Sequence, residues 1–399
     1  MKNAVIIDAV RTPIGKLNGS LTNIRPDDLA GHVIKKLIAR VNIDPTLIED
    51  VYLGCTNQAG EDNRNVARMG VLLAGLPETI PGVTVNRLCG SGLEAVNQTV
   101  SAIKAGLGEI FIAGGTESMT RAPYVMMKPH LTNARSNQTL YDTTIGWRLI
   151  NPKLAQVYPP ISLGETAENV AEKFNITREE QDEFALNSQQ RAAAAIESNR
   201  FKEEITPVTV PQRKGEPIIF NTDEHVRPRT TIEALAKLTP VFKEGGTVTA
   251  GNSSGINDGA SALLMMEEEL AKTLGLKPLA RVITSAVSGV DPAYMGIGPI
   301  SATKKALARA NLTIEDLDLI ELNEAFAAQS LACIKELRLD IEKVNVNGGA
   351  IALGHPLGCS GARILTTLVH EMQKRDCRYG MASLCIGVGQ GISTIIEKI

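Results

Sequence analysis

The sequence predicts an α/β protein made of two similar halves with an inserted segment. Short apolar runs alternate with helical patterns along the chain. The last third repeats the order of the first. Between them, residues 121–249 are richer in proline, asparagine and charge.

In the first half, AVIIDAV, DVYLGCT, GVTVNRL and EIFIAGG read as buried strands. DDLAGHVIKKLIARV and SGLEAVNQTVSAIKAGL lie between them, with apolar residues at i, i+3, i+4 and i+7 as in one-faced helices. This alternation predicts layers around a mostly parallel sheet. In the insert, LGETAENVAEKFNITREEQDEFALNSQQRAAAAIES reads as one long helical pattern, with Thr177 and Glu180 as a capping box. In the last third, ARVITSAVSGVDP resembles AVIIDAVRTP, and SATKKALARANLTIEDLDLIELNEAF resembles the first helix, acidic turn and strand. EKVNVNGGAIALGHPLGCSGARILTTLVHEM then matches PGVTVNRLCGSGLEAVNQTVSAI, and RYGMASLCIGVG falls where GEIFIAGGTES fell. The expected division is residues 1–120 with 250–270, an insert of 121–249, and 271–399.

Composition excludes several function classes. With 399 residues, a net charge of −3 and 4 % aromatics, no global field or stacking surface favours nucleic acid. No run approaches the roughly 20 apolar residues that span a bilayer. MKNAVIIDAVRTPIG reads as a strand and not a signal peptide, so the expected location is cytoplasmic. Cysteines at 55, 89, 333, 359, 377 and 385 form no close pair and no zinc spacing, so most are expected reduced and buried, with no metal site.

Four motifs carry the chemistry. In RLCGSG, Cys89 closes a strand and opens a helix, where the helix N-terminus favours a thiolate. Gly90 and Gly92 are expected to admit a substrate to the backbone and to free amides for an oxyanion. In NGGAIALGHPLG, His355 occupies a similar junction of the second half and can act as a base. In SLCIGVGQG, Cys385 again meets glycines at a strand end, and no dinucleotide fingerprint is present. In ELNEAFAAQ, Asn323 can orient a water or an imidazole, or cap a helix. Carboxyl ends of strands gather ligands, and a two-fold pairing of the halves brings these junctions together.

RTPIG, NRLCGSG, GGTESM, TAGNSSGINDGA, LNEAFA, NGGAIALGHPLG and CIGVGQG occur in that order across nearly the whole chain. Together they resemble the thiolase family, the acyl-CoA C-acetyltransferases. The resemblance implies a five-layered α-β-α-β-α fold of two similar halves with an inserted loop domain. It implies Cys89 as the nucleophile that takes up an acyl group, His355 as its activator, and Cys385 as the group that moves a proton on the α-carbon. The amides of Cys89 and Gly387 are then one oxyanion hole, and a water on Asn323 with His355 the other. Ser254, Ala250, Arg227, Leu163 and Phe326 are the implied contacts of coenzyme A and its thioester. Coenzyme A enters as a substrate, and no metal or redox cofactor is implied. The form implied is a homodimer or homotetramer. Ketoacyl synthases and hydroxymethylglutaryl-CoA synthases share the fold but lack the second cysteine. A non-catalytic acyl-CoA-binding relative would lack one of Cys89, His355 or Cys385.

Substrate signals divide. QAGEDNRNVARM, RAPYVM and YDTTIGWRLINP are similar to β-ketoadipyl-CoA thiolases, although those tend to carry Met-Pro where this chain has Leu163-Gly164. VTAGN, VSGVDP and MGIGP look like general fatty-acid 3-ketoacyl-CoA thiolases. The His-Met-Gly of short-chain biosynthetic thiolases is replaced by Ser162-Leu163-Gly164, against an acetoacetyl-CoA enzyme. 3-Oxoadipyl-CoA is the leading expectation. Its distal carboxylate calls for a cation, with Arg148 and Arg135 as candidates.

Overall fold

The computed structural model describes residues 2–128 and 137–399. The first half contributes strands β1 (Ala4–Arg11), β2 (Asp50–Gly54), β3 (Val83–Val85) and β4 (Ile110–Ser118), with helices α1 (Pro26–Val41), α2 (Val66–Leu73) and α3 (Ser91–Ala105) between them. The insert holds α4 (Leu163–Lys173) and α5 (Arg178–Glu197), after which β5 (Asn257–Glu267) returns to the first half. The second half runs β6 (Ala280–Gly289), α6 (Gly298–Ala310), β7 (Leu319–Leu322), α7 (Ala327–Leu337), α8 (Leu357–Arg375), β8 (Tyr379–Ile386) and β9 (Gln390–Lys398).

These nine strands lie in the order β7-β8-β9-β6-β1-β5-β4-β2-β3, and Gly15–Lys16 pairs with β5 as a tenth. The internal repeat is visible in this order. β1-β5-β4-β2-β3 has the same arrangement as β6-β9-β8-β7, with a single bridge at Val344 beside β7 standing where β3 stands. The two half-sheets join where Val5 pairs with Arg281 and Ile6 with Ala280.

The expectation of a mostly parallel sheet is corrected. Only β2–β3, β2–β4 and β7–β8 are parallel, and β1–β5, β4–β5, β1–β6, β6–β9 and β8–β9 are antiparallel. The cause is connection. Helical crossovers give parallel pairs, whereas β9 follows β8 through a turn at residues 387–389 and reverses direction. The single long helix expected in the insert is also corrected. Asn175 takes φ 50°, and α4 and α5 each open with their own capping box, at Ser162/Glu165 and Thr177/Glu180. The Thr177 box that the sequence announces is the start of a second helix.

Alternation along the strands sorts side chains into three cores and yields five layers. Val5, Ile7, Ile112 and Leu264 face α1 and α2. Leu317, Ile320, Leu322 and Met381 pack with Leu307 of α6 and Ile334 of α7. Between the half-sheets, Ile6, Ala113, Leu263, Leu384 and Ile396 enclose α3 and α8. Residues 358–372 of α8 are all buried, so this helix is covered on every side, as a central layer demands, and its polar members Arg363, His370 and Glu371 are buried with the rest.

The two central helices touch backbone to backbone at their N-termini. A β-carbon on Gly92 would stand 2.7 Å from the amide nitrogen of Ala362, and one on Gly361 would overlap the backbone of Leu93. The expectation that Gly92 makes room for a substrate is therefore corrected, since its open side is filled by α8. Gly90 is similar: a β-carbon there would meet Ile386 at 2.6 Å. Gly361→Ala is expected to cost roughly 1–3 kcal/mol of stability by overpacking. A lowered denaturation midpoint together with slowed Cys89 alkylation is the expected result. An unchanged midpoint would show that the helices can part without cost.

Candidate active site

Cys89 precedes the first turn of α3, and its neighbour Leu88 is held at φ 48°. That uncommon conformation is fixed on both sides. The Leu88 amide donates to Asn86 Oδ1 at 2.9 Å, and its carbonyl accepts from Ser91 Oγ at 2.6 Å. The amides of Gly387 and of Cys89 itself both donate toward the Cys89 sulfur. Gly387 is held there by the turn between β8 and β9, in which Val388 and Gly389 take φ 62° and 78°. Burial nevertheless pushes the Cys89 thiol up to about 11, with the two amides pulling it down. The expectation of a resting thiolate is corrected: at neutral pH Cys89 is a thiol, because loss of water outweighs the helix mouth and the amides.

His355 stands before α8, after Gly354 at φ 106°. Its amide donates to Asn257 Oδ1 at 3.0 Å. Its Nδ1 lies 2.6 Å from Ser360 Oγ, and that hydroxyl also donates to the Pro356 carbonyl at 3.0 Å. With its only proton on Pro356, Ser360 accepts from Nδ1–H, which leaves Nε2 unprotonated, as the acceptor. Nε2 faces Asn323 Nδ2 at 3.5 Å. Burial, then the charge of Arg363, pulls His355 down to about 3, so the imidazole is neutral. The Arg363 guanidinium is itself buried, makes no hydrogen bond among the described residues, and lies 3.7 Å from Glu321 Oε2. No hydrogen bond joins Cys89 to His355 here, and such contacts commonly tighten only when substrate arrives.

Asn323 follows β7 directly. It is 1 % exposed, and its Oδ1 has no hydrogen-bond partner among the described residues. The helix-capping alternative is removed, because α7 starts at Ala327 with Phe326 as its first flanking residue. Cys385 lies in β8 within an apolar cluster that includes Ala167, Val248, Met295 and Phe326. Burial, then the neighbouring Cys89, raises its thiol well above the ordinary range, so the two cysteines are within electrostatic reach.

Cys89, Gly387 and Leu163 line one cavity of about 370 Å³, with Leu88, Trp147 and Arg148 among its other walls. Ala250 and Arg227 line a second, of about 500 Å³, with Arg229 and His225. Ser254 lies beside the strand end, its amide donating to the Ala325 carbonyl at 3.0 Å. Phe326 stands behind the site, 8 % exposed and edge-on to Phe242. Sequence reasoning missed Ser360, Asn257 and Glu117. Glu117 accepts from the amides of Thr56, Asn57 and Gly358 and so fixes the start of α8. It lies in the GGTES motif, but nothing local in the sequence says that the glutamate reaches the other half.

A thiol with two amides directed at it, a neutral imidazole and a second buried thiol are groups that acyl transfer can use. Family models for the thiolase N-terminal domain match residues 4–269, and for the thiolase C-terminal domain residues 276–398. The chain belongs to the thiolase family. This thiolase is 54 % identical to the beta-ketoadipyl-CoA thiolase of Acinetobacter baylyi, over all of both chains. It is 53 % identical, again over both full lengths, to the 3-oxoadipyl-CoA/3-oxo-5,6-dehydrosuberyl-CoA thiolase of Escherichia coli. The crystal structure of the Bacillus anthracis acetyl-CoA acetyltransferase superposes with a TM-score of 0.94 at 45 % identity, covering 100 % of this chain and 99 % of that one. The expected thiolase fold and acyltransferase class stand on these matches.

Two measurements test the neutral resting state. Iodoacetamide alkylation of Cys89 is expected to keep accelerating with pH up to about 9, as a thiol raised by burial requires. A plateau already reached at pH 7 would mean a resting thiolate–imidazolium pair. The second concerns stability. The unfolded chain takes up the histidine proton near 6.5 and the folded chain only near 3, so acidification between these values favours unfolding. From pH 6.5 to 5 this loss is roughly 2 kcal/mol. Urea unfolding of His355→Asn is expected to show a correspondingly smaller loss between pH 7 and 5, and equal losses would refute burial of a neutral imidazole.

Proposed function

We propose that this thiolase cleaves 3-oxoadipyl-CoA with coenzyme A, giving acetyl-CoA and succinyl-CoA. The observation that carries the chemistry is the convergence of the Gly387 and Cys89 amides on the Cys89 sulfur, at the wall of the 370 Å³ cavity. The substrate reading is supported by the two relatives whose names specify β-ketoadipyl-CoA or 3-oxoadipyl-CoA.

The steps balance on this chain's own groups. His355 Nε2 takes the Cys89 proton as the sulfur attacks the 3-carbonyl carbon. The alkoxide that forms is collapsed by breaking the bond between carbons 2 and 3, and the electron pair leaves as the enolate of acetyl-CoA. Asn323 and His355, with an ordered water, receive the enolate oxygen. Cys385 gives its proton to carbon 2, and acetyl-CoA departs. The acyl group is now a thioester on Cys89, its carbonyl oxygen on the Gly387 and Cys89 amides. The Cys385 thiolate takes the proton of incoming coenzyme A, whose sulfur attacks the thioester. Cys89 leaves and recovers its proton from His355. No proton is gained or lost over the cycle.

Coenzyme A extends, in this reading, past Ser254 and Leu163 toward the second cavity, where Ala250 flanks pantetheine and Arg227 meets the nucleotide. Among the described residues no helix is long and apolar enough to cross a membrane. We place the enzyme in the cytoplasm, on the support of its bacterial relatives. A homo-oligomer is supported by the open sheet edge at β3, where Val83 is exposed.

CoA-dependent cleavage of 3-oxoadipyl-CoA, 3-oxohexadecanoyl-CoA and acetoacetyl-CoA tests the assignment, with Cys89→Ala as control. A kcat/KM at least about tenfold higher for 3-oxoadipyl-CoA is expected, and no turnover by the control. A preference for the long chain would assign the protein to fatty-acid breakdown. Equal inactivity of wild type and control would remove catalysis altogether.

A further inference from the structure

The cavity beside Cys89 is walled mainly by apolar groups, including Leu88, Ile145, Trp147, Ile161 and Leu163. Among its described lining residues, Arg148 alone is ionisable besides Cys89 itself. Arg148 is half-buried, and it forms no hydrogen bond or ion pair with the described residues. An arginine facing an apolar cavity without a counter-charge is costly unless something anionic is to enter.

The arginine is also held in place. Thr143, five residues earlier, is buried, accepts from Asn57 Nδ2 at 2.8 Å and donates to the Pro123 carbonyl at 2.5 Å. Trp147, its immediate neighbour, donates from Nε1 to the Ile161 carbonyl at 2.9 Å. The segment that carries Arg148 is thus tied to the core on one side and to the entry of α4 on the other. The phosphates of coenzyme A have cations elsewhere: Arg227 and Arg229 line the second cavity, which shares no lining residue with the first. Arg135, the other cation expected for this task, lies outside the described residues.

The geometry points to Arg148 as the residue that selects a terminal carboxylate on the acyl chain. This inference rests on the proposed 3-oxoadipyl-CoA reaction and names the group that makes it selective. The planar guanidinium pairs with the carboxylate through two parallel N–H···O bonds, while the apolar walls hold the intervening methylenes. A neutral chain of equal length fills the same walls and leaves Arg148 unpaired. A dicarboxylic acyl-CoA is therefore preferred over its monocarboxylic analogue by charge and not by length.

The test compares 3-oxoadipyl-CoA with 3-oxohexanoyl-CoA, which has the same six-carbon chain and no carboxylate, in wild type, Arg148→Ala and Arg148→Lys. For Arg148→Ala, kcat/KM on 3-oxoadipyl-CoA is expected to fall about 10–100-fold, mostly through KM, while that on 3-oxohexanoyl-CoA moves less than about threefold. Arg148→Lys should retain part of the selectivity as a point charge. Inhibition by succinyl-CoA, but not by butyryl-CoA, should weaken in the alanine variant. Parallel loss on both substrates, or no loss on 3-oxoadipyl-CoA, overturns the role of Arg148. Should wild type itself fail to prefer 3-oxoadipyl-CoA over 3-oxohexanoyl-CoA, the substrate reading falls first and this inference falls with it.

Discussion

The contact on which the structure depends is the crossing of α3 and α8 at Gly92 and Gly361. Both helices lie in the middle layer, closed in by a half-sheet on either side. Their N-termini carry Cys89 and His355. Without β-carbons at the crossing, the two backbones meet directly, and the two reactive side chains inherit that closeness. The other components come from fixed points as well. Asn323 sits at the end of β7, and Gly387 in the turn after β8. Glu117 of the first half accepts from the Gly358 amide at the start of α8. The halves are thus joined at the site as well as in the core. Rigid supports of this kind are what an oxyanion hole built from backbone amides needs.

What could be read in the sequence follows from how local each cause is. β1, α1 and α3 were legible because apolar periodicity reports burial of the same residues. The Thr177–Glu180 capping box was legible for the same reason. Its consequence was missed, since a cap announces a new helix and so ends the previous one at Lys173. The antiparallel pairs escaped because pairing partners are set by connections and not by composition. Gly90 and Gly92 were given the wrong neighbour, since what fills the space beside them comes from β8 and α8, more than 250 residues on. Phe326 was read with the acyl-CoA contacts, yet its phenyl ring faces the apolar cluster of Cys385. Ser360 carried a weak signal, a hydroxyl one helical turn beyond His355, which only becomes meaningful once α8 is known to begin at Leu357.

Burial decides the chemistry of the resting site. Both thiols are raised and the imidazole is lowered, all chiefly by loss of water, so every group that exchanges a proton starts neutral. The Arg363 guanidinium adds to this from beneath, where it disfavours an imidazolium. Its own nitrogens find no hydrogen-bond partner among the described residues. Charge then appears only when a carbonyl oxygen is present to receive it. In the proposed reaction the amides of Cys89 and Gly387 receive one such oxygen, and Asn323, whose Oδ1 has no partner among the described residues, stands by for the other.

A site neutral at rest cannot attract its substrate through the catalytic groups. In the proposed reaction the amides and the imidazole act on atoms that all 3-oxoacyl thioesters share, so they would contribute nearly equally to every member of that class. Discrimination must then reside in the part of the cavity that meets the variable end of the acyl chain. That wall belongs largely to the insert, to residues 143–148 and 159–163, and not to the duplicated halves. In the proposed reaction the two halves supply the chemistry, and the insert supplies the choice of substrate. The proposed role of Arg148, unpaired among the described residues on an otherwise apolar wall, fits that requirement, because a charge rejects or accepts a chain end more sharply than an added methylene does.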